Sequence, residues 1–429
     1  MTVAKVQLWG RDIGAVSWNA DREVAYFEYE PAFRKSGIEV SPVAMPLSDE
    51  IYGFTGLAKE SFYGLPGMLA DSLPDKYGKA LIDAWLASQG RAVLNPVERL
   101  CYVGSRGMGA LEFAPSIRPK EQGSQPVDVA ALVELASEIL AAKGDLAVSF
   151  ADHEKAAALP EILRVGTSAG GARAKAVIAW NEKTGEVRSG QVDVNKGFFH
   201  WLLKFDGVDE NKDRELNDPK GYGLIEYAYY LMARAAGITM NECRIMEENG
   251  RHHFMTKRFD RDEAGKKIHM QSLGALRHFD FNLAGAYGYE QAFETIRMLG
   301  LNMDAIEEQF RRMAFNIIAR NQDDHVKNIA FMMNKAGDWS LSPAFDVTYA
   351  FNPSGAWTGQ HQMSLQGKRD DFTRDDFVKC GSLISMARGR ASAILDEVQE
   401  AVNMWEKFAN QAEVTKDIIQ KISIAHRKV

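Results

Sequence analysis

Along the chain, alternating polarity comes first and helical spacing follows. Residues 3–9 and 24–29 read as short strands, with Gly10 and the turn residues Asn19-Ala-Asp21 between them. After Ser72-Leu-Pro-Asp75, Tyr77, Leu81 and Trp85 repeat at i, i+4 and i+8, and Ile82 and Leu86 widen the stripe. That pattern predicts a helix, which Gly90 would stop. Asn95-Pro96 has the form of an N-cap followed by proline at the first helical position, and Gly104, Gly107 and Gly109 make a turn. Residues 115–125 hold two prolines, a glycine and mixed charges, and read as a linker. Asp128 can then cap a helix running through Leu132, Leu135, Ile139 and Leu140.

A new pattern begins near Pro160. Residues 165–175 form a glycine-rich loop, 176–180 a strand, and Asn181-Glu-Lys-Thr-Gly185 a turn. A second strand, 198–205, carries Lys204. A helix at 224–236 ends at Gly237, and 254–259 is another strand. From about residue 281 helical spacing dominates, over 289–299, 304–319, 375–386, 392–408 and 414–424. The chain is thus β-rich first, mixed in the middle and helical at the end. An α+β amino lobe followed by an all-α C-terminal lobe is one arrangement of that order.

Composition narrows the picture. Of 429 residues, 46% are hydrophobic and 25% charged, enough to bury a large core and to exclude disorder for most of the length. The net charge of −7 argues against broad, charge-driven nucleic-acid binding, while leaving room for a local basic patch. Three cysteines, Cys101, Cys243 and Cys380, lie far apart with no CxxC, so neither a disulfide framework nor a thiolate metal site is expected. The start lacks the apolar region of a signal peptide. No window of 18 apolar residues predicts a membrane span. A reducing, cytoplasmic setting is the expectation.

The densest polar cluster is Asn321-Gln-Asp-Asp-His-Val-Lys-Asn328, and a second, Ser342-Pro-Ala-Phe-Asp-Val347, follows it. Phosphoryl transfer needs a carboxylate to orient the attacking hydroxyl, and an amide plus a second carboxylate to hold Mg²⁺ against nucleotide phosphates. A kinase catalytic loop sets its base and its Mg²⁺-binding Asn five residues apart. Asp323 and Asn328 have that spacing, and Asp346 is then the natural Mg²⁺-binding carboxylate. The same residues also read as a plain polar loop of caps and turns. A calcium loop fits badly, because Val326 and Met332 replace the required glycine and glutamate.

Two further features bear on this. Val165-Gly-Thr-Ser-Ala-Gly-Gly-Ala-Arg-Ala-Lys175 can bring backbone N–H groups close to phosphates, yet it is not a Walker A loop, since Ala172 stands where lysine is needed. A hairpin turn is the bland reading. Lys204 lies in the apolar strand His200-Trp-Leu-Leu-Lys-Phe205 and needs a partner there. A nucleotide phosphate or a helix glutamate, Glu226 being the candidate, would serve; so would snorkelling from an edge strand. Taken in order, a glycine-rich loop, strand lysine, helix glutamate, Asp-x4-Asn and final Asp follow a protein-kinase-like core. The usual His-Arg-Asp and Asp-Phe-Gly triplets are absent.

On these residues the sequence resembles the HipA family of bacterial serine/threonine kinases, the toxins of HipBA toxin–antitoxin modules. Asn321 to Asn328, Ala344-Phe-Asp-Val347, Lys257-Arg-Phe-Asp-Arg261, Ser168-Ala-Gly-Gly-Ala-Arg-Ala-Lys175 and Asp71-Ser-Leu-Pro-Asp75 carry the likeness, which runs from about residue 50 to 350. The resemblance implies a protein-kinase-like two-lobed fold with ATP and Mg²⁺ as cofactors. It divides the chain into a β-rich N-terminal module (1–115), a kinase amino lobe (116–256) and a helical carboxyl lobe (257–429). It makes Asp323 the catalytic base, supported by His325, and gives Asn328 and Asp346 to Mg²⁺. ATP falls to Ser168, Ala169, Gly170, Gly171, Lys204, Glu226, Thr256, Lys257 and Phe259, with 256–259 at the hinge near adenine. Ser168, with Thr167 beside it, becomes a site of regulatory autophosphorylation. Expected partners are a helix-turn-helix, HipB-like antitoxin dimer, operator DNA mainly through that dimer, and an aminoacyl-tRNA synthetase as phosphorylated substrate, with no membrane involved. The motifs also admit a kinase of small-molecule hydroxyls, or a non-catalytic corepressor acting with a helix-turn-helix partner.

Overall fold

The computed structural model describes residues 2–74, 76–88, 90, 93–117, 126–141, 174–191, 196–207 and 221–429. The first sheet has the order β3-β2-β1-β4, with β1 at Thr2–Leu8, β2 at Arg11–Asn19, β3 at Val24–Tyr29 and β4 at Leu111–Ala114. Its pairs are antiparallel. Ala4, Val6 and Leu8 alternate onto the buried face, as a period of two requires. β2 was not expected, because Gly14 weakens its alternation. A Cβ at Gly14 would stand 2.3 Å from the Glu28 carbonyl oxygen and 2.6 Å from the Phe27 ring, so the close strand approach needs glycine.

The expected caps form. Asn95 accepts from the Glu98 N–H at 3.0 Å and Glu98 returns the bond at 2.9 Å, opening the helix Pro96–Val103. Asp128 accepts from the Ala130 N–H at 2.9 Å before the helix Val129–Ala141.

The second sheet is antiparallel and ordered β6-β5-β7-β9-β8. Its strands are β5 (Lys175–Trp180), β6 (Val187–Ser189), β7 (Phe199–Lys204), β8 (Cys243–Glu248) and β9 (Arg251–Lys257). The helix Tyr222–Ala235 lies against β8 and β9. Its Gly223 sits where an added Cβ would be 2.1 Å from the His252 carbonyl oxygen, which lets the helix start press onto β9.

The C-terminal region is not all helical. β10 (His269–Ser272), β11 (Ala330–Met333) and β12 (Trp339–Leu341) form a third sheet. These strands hold three or four residues each, too few for periodicity to reveal. Trp339 donates to the Glu39 carbonyl at 3.2 Å and Gln271 to Val40, so this sheet docks onto the N-terminal module. Asp71 adds a second tie, accepting from the Ser272 N–H at 2.7 Å. A third is Asp260, which is fully buried and receives Arg258, Arg261 and the Gly109 N–H.

The helices Tyr289–Met298, Met303–Ile318, Arg374–Leu383 and Lys416–Ala425 follow the predicted stripes within a few residues. The stretch expected as one helix at 392–408 is two, Arg390–Asn403 and Trp405–Gln411. Trp405, the first residue of the second helix, is buried and donates its indole N–H to the Ile419 carbonyl at 3.0 Å. Among the described residues no helix is long and apolar enough to cross a membrane.

Two buried histidines make the fold acid-sensitive. Burial, reinforced by the Arg258 and Arg261 charges, pushes His200 down to about 4, and burial pushes His269 down to about 3. Both stay neutral in the folded chain while the unfolded chain protonates below about 6.5. Their stabilising contribution is therefore present above about 6.5 and is lost as pH falls towards 4 and then 3. Each is expected to remove about 1.4 kcal/mol of stability per pH unit in that window. Melting temperature measured from pH 7 to 4 should fall, and the fall should shrink in His200→Gln. A flat profile would refute the assignment.

Candidate active site

The site begins with a lysine that is nearly buried. Lys204 ends β7, whose apolar neighbours carry it under the sheet. Its Nζ donates to Glu226 Oε1 at 2.5 Å and to Asp346 Oδ1 at 2.5 Å. Glu226 comes from the helix Tyr222–Ala235 that Gly223 lets press against β9. One ammonium thus joins the middle sheet, that helix and the segment after β12. An unpaired ammonium here would be costly, and two carboxylates meet that need.

Lys175 stands directly opposite Lys204 in the β5–β7 register and is also buried. Burial alone would raise the Asp346 carboxyl. The charges of Lys204 and Lys175, and the Lys204 hydrogen bond, outweigh it and hold Asp346 below the usual carboxylate range. Asp346 has φ 52°, a left-handed backbone that a non-glycine residue keeps only when its surroundings enforce it.

Residues 320–328 leave the buried end of the helix Met303–Ile318. The Asn321 side chain donates to Asn316 Oδ1 at 2.9 Å and towards the Asp346 carbonyl at 3.4 Å, stitching this loop to the Asp346 segment. Asn328 Nδ2 donates to the Asp323 carbonyl at 2.8 Å, closing the loop and leaving the Asn328 amide oxygen outside that bond. Asp323 Oδ1 accepts from the Trp357 indole at 2.7 Å, and His325 Nε2 lies 3.8 Å from the same oxygen. Asp324, next in the chain, points the other way. It is buried and takes bonds from Tyr289 at 2.6 Å, His361 at 2.8 Å and the Gln362 N–H at 2.7 Å. That anchor keeps its neighbour Asp323 turned to the partly exposed side.

The structure therefore brings together Lys204, Glu226, Asp323, His325, Asn328 and Asp346. Phe259 reaches this group indirectly, its ring 5.5 Å from that of Phe345, beside Asp346. Thr256 lies within β9, paired with Cys243 and Leu202. The Lys257 ammonium is engaged by Glu263 at 3.0 Å and by the Phe199 ring at 4.3 Å. Ser168, Ala169, Gly170 and Gly171 lie outside the described residues. Lys175 and Trp357 were not singled out from sequence. Strand register reveals Lys175. Trp357 meets Asp323 across 34 residues and has no local signature.

No cluster of three His, Cys, Asp or Glu side chains that could hold a metal occurs among the described residues. A carboxylate and an amide oxygen are the hard donors that suit Mg²⁺ when phosphate oxygens complete its shell. Lys204 takes one oxygen of Asp346 and leaves the other. The donor set of Asp346 and Asn328 thus fits a Mg²⁺–nucleotide.

The HipA-like C-terminal domain model matches residues 167–405, and the HipA N-terminal domain model matches residues 4–114. The fold is similar to that of a solved chain from the Shewanella oneidensis MR-1 toxin–antitoxin complex of HipA, HipB and operator DNA. That likeness has a TM-score of 0.68 at 16% identity and covers 98% of this chain and 95% of that one. CtkA, a proinflammatory kinase of Helicobacter pylori, gives a TM-score of 0.29 at 10% identity over 50% of this chain and 91% of its own. No curated protein matches. With one family model spanning more than half of its length and a second covering its N-terminal sheet, this chain belongs to the HipA family.

Proposed function

We propose that the chain is a Mg²⁺- and ATP-dependent protein serine/threonine kinase, the toxin of a type II toxin–antitoxin module. The observation that carries this reading is the bridging of Lys204 between Glu226 and Asp346, with Asp323 and Asn328 on the adjoining loop. This is the arrangement phosphoryl transfer asks of its protein. Lys204 holds the nucleotide phosphates and is itself aimed by Glu226. Asp323 orients the acceptor hydroxyl and takes up its proton as the new P–O bond forms and the bond to ADP breaks. Asn328 and Asp346 would hold Mg²⁺, which when bound neutralises charge on the phosphate oxygens. In this reading 1–115 is an added module, 116–256 the amino lobe and 257–429 the carboxyl lobe.

The family supports the finer parts. A helix-turn-helix, HipB-like dimer is the proposed partner, with operator DNA reached mainly through it. An aminoacyl-tRNA synthetase is the proposed substrate, whose phosphorylation would stall translation. Ser168 is the proposed autophosphorylation site: a phosphate there adds about −1.5 to −2 charges to a segment proposed to meet the ATP phosphates. Incubation with γ-labelled ATP and Mg²⁺, followed by phosphopeptide mapping, tests both points. Label on serine with Ser168 modified supports them. ATP binding without any transfer would refute the kinase reading, and an active enzyme unmodified at Ser168 would refute the switch.

A further inference from the structure

Behind the loop that holds Asp323 lies a second segment, residues 425–429, which follows the helix Lys416–Ala425. Arg427 dominates it. Its backbone N–H donates to the Ile318 carbonyl at 2.9 Å, at the end of the helix that leads into the loop. One terminal nitrogen of its guanidinium donates to the Ile317 carbonyl at 2.7 Å and to His361 Nε2 at 2.8 Å. The other donates to Gln322 Oε1 at 3.2 Å and to Asp370 Oδ1 at 2.5 Å. All four hydrogens of the planar fork are used, which a lysine cannot reproduce.

Two of those bonds lead to the residues flanking Asp323. Gln322 precedes it, and its amide nitrogen is fixed on the Thr358 carbonyl at 2.9 Å. His361 accepts from Arg427 through Nε2, so its proton sits on Nδ1 and is donated to Asp324, which follows Asp323. Arg320 adds a parallel tie, donating to the Ala425 carbonyl at 2.8 Å and to Gln322 at 3.0 Å. His361, Asp324 and Gln322 are all buried, so these links are shielded from water.

We infer that Arg427 is a positioning residue for phosphate transfer: through Gln322 on one side and His361–Asp324 on the other, it sets the backbone that presents the Asp323 carboxylate. This rests on the kinase reading of that loop. Lys204 and Asp346 arise from other segments and Asn328 closes the far end of the loop, so the effect falls mainly on transfer and only weakly on nucleotide affinity.

The test uses the full chain with Arg427→Ala, Arg427→Lys and His361→Asn, the last keeping a donor near Asp324 while breaking the link to Arg427. Transfer from γ-labelled ATP, Mg²⁺-ATP affinity, melting temperature and amide hydrogen exchange are measured on each. In Arg427→Ala, kcat is expected to fall roughly 10–100-fold while Mg²⁺-ATP affinity stays within about twofold, because a loop displaced by about 1 Å loses attack geometry first. Arg427→Lys should recover part of the rate, and combining Arg427→Ala with His361→Asn should add little to either alone. Exchange should rise in peptides spanning 320–328 and stay unchanged in 222–235. Wild-type rate in Arg427→Ala overturns the inference, as does a rate loss that merely tracks the unfolded fraction. A wild-type chain that transfers no phosphate defeats the kinase reading itself. The exchange measurement still decides the tie in that case, since unchanged exchange at 320–328 would show that Arg427 does not hold the loop.

Discussion

Asp323→Asn is expected to lower phosphate transfer by about 10³-fold or more while leaving Mg²⁺-ATP binding nearly intact. Amide replaces carboxylate at almost the same volume, so the Trp357 contact and the closure by Asn328 survive, but the group proposed to take the hydroxyl proton is gone. Positioned acid–base groups contribute about 10²–10⁴-fold, and loss of orientation adds to that. Asp346→Asn should fail differently. It removes a carboxylate proposed to bind Mg²⁺ and weakens the Lys204 ion pair to a hydrogen bond with a neutral amide, leaving Glu226 as the carboxylate partner from the pair. Mg²⁺-ATP affinity should then fall together with the rate. Titration calorimetry and labelled-ATP transfer on both variants separate the two roles. Transfer within tenfold of wild type in Asp323→Asn would remove that residue from the reaction.

The second large effect is on stability. Asp260→Ala should destabilise the chain by about 3–5 kcal/mol, the range for stripping one partner from a buried ion pair. Burial alone would raise the Asp260 carboxyl, but the guanidiniums of Arg258 and Arg261 and the Gly109 N–H hold it far below the usual range. Without it two guanidiniums face each other in the interior, and Arg258 already has one terminal nitrogen without a partner among the described residues. Because Gly109 lies beside β4 and Arg258 just past β9, the loss should loosen the N-terminal module from the middle sheet. Urea unfolding of wild type and variant measures this, and a shift under 1 kcal/mol would contradict it. The Lys257-Arg-Phe-Asp-Arg261 run thus has a structural part to play, whatever Phe259 does near a nucleotide.

Much of the site can be read from residue order. The five-residue step from Asp323 to Asn328, the strand lysine and the later aspartate each carry a local signature, and Glu226 follows from asking what a buried lysine needs. The long amphipathic helices are equally legible, because apolar residues at 3.6-residue spacing persist over several turns. Strands β2 and β10 to β12 are not, since they are interrupted by glycine or short, and β8 is not because Arg244, Glu247 and Glu248 blur its alternation. Trp357, His361 and Arg427 escape for a related reason. Their contacts to the loop cross 34, 37 and 105 residues, and nothing in their own neighbourhoods distinguishes them. Spacing carries what a helix or a tight loop brings together, and tertiary packing carries the rest.

The bridging of one lysine by two carboxylates also has an electrical consequence. Lys204, Glu226 and Asp346 together sum to −1, and Asp323 deepens that on the adjoining loop. On the kinase reading proposed above, a bare ATP tetra-anion approaching these residues would meet repulsion from them, which Lys175 offsets only in part. The same nucleotide complexed with its divalent ion carries less negative charge, and Asp346 would supply a ligand to that ion. On that reading the charge set would act as a filter on the ionic form of the nucleotide. Affinity should rise with free Mg²⁺ until ATP is fully complexed, and excess uncomplexed ATP should compete poorly.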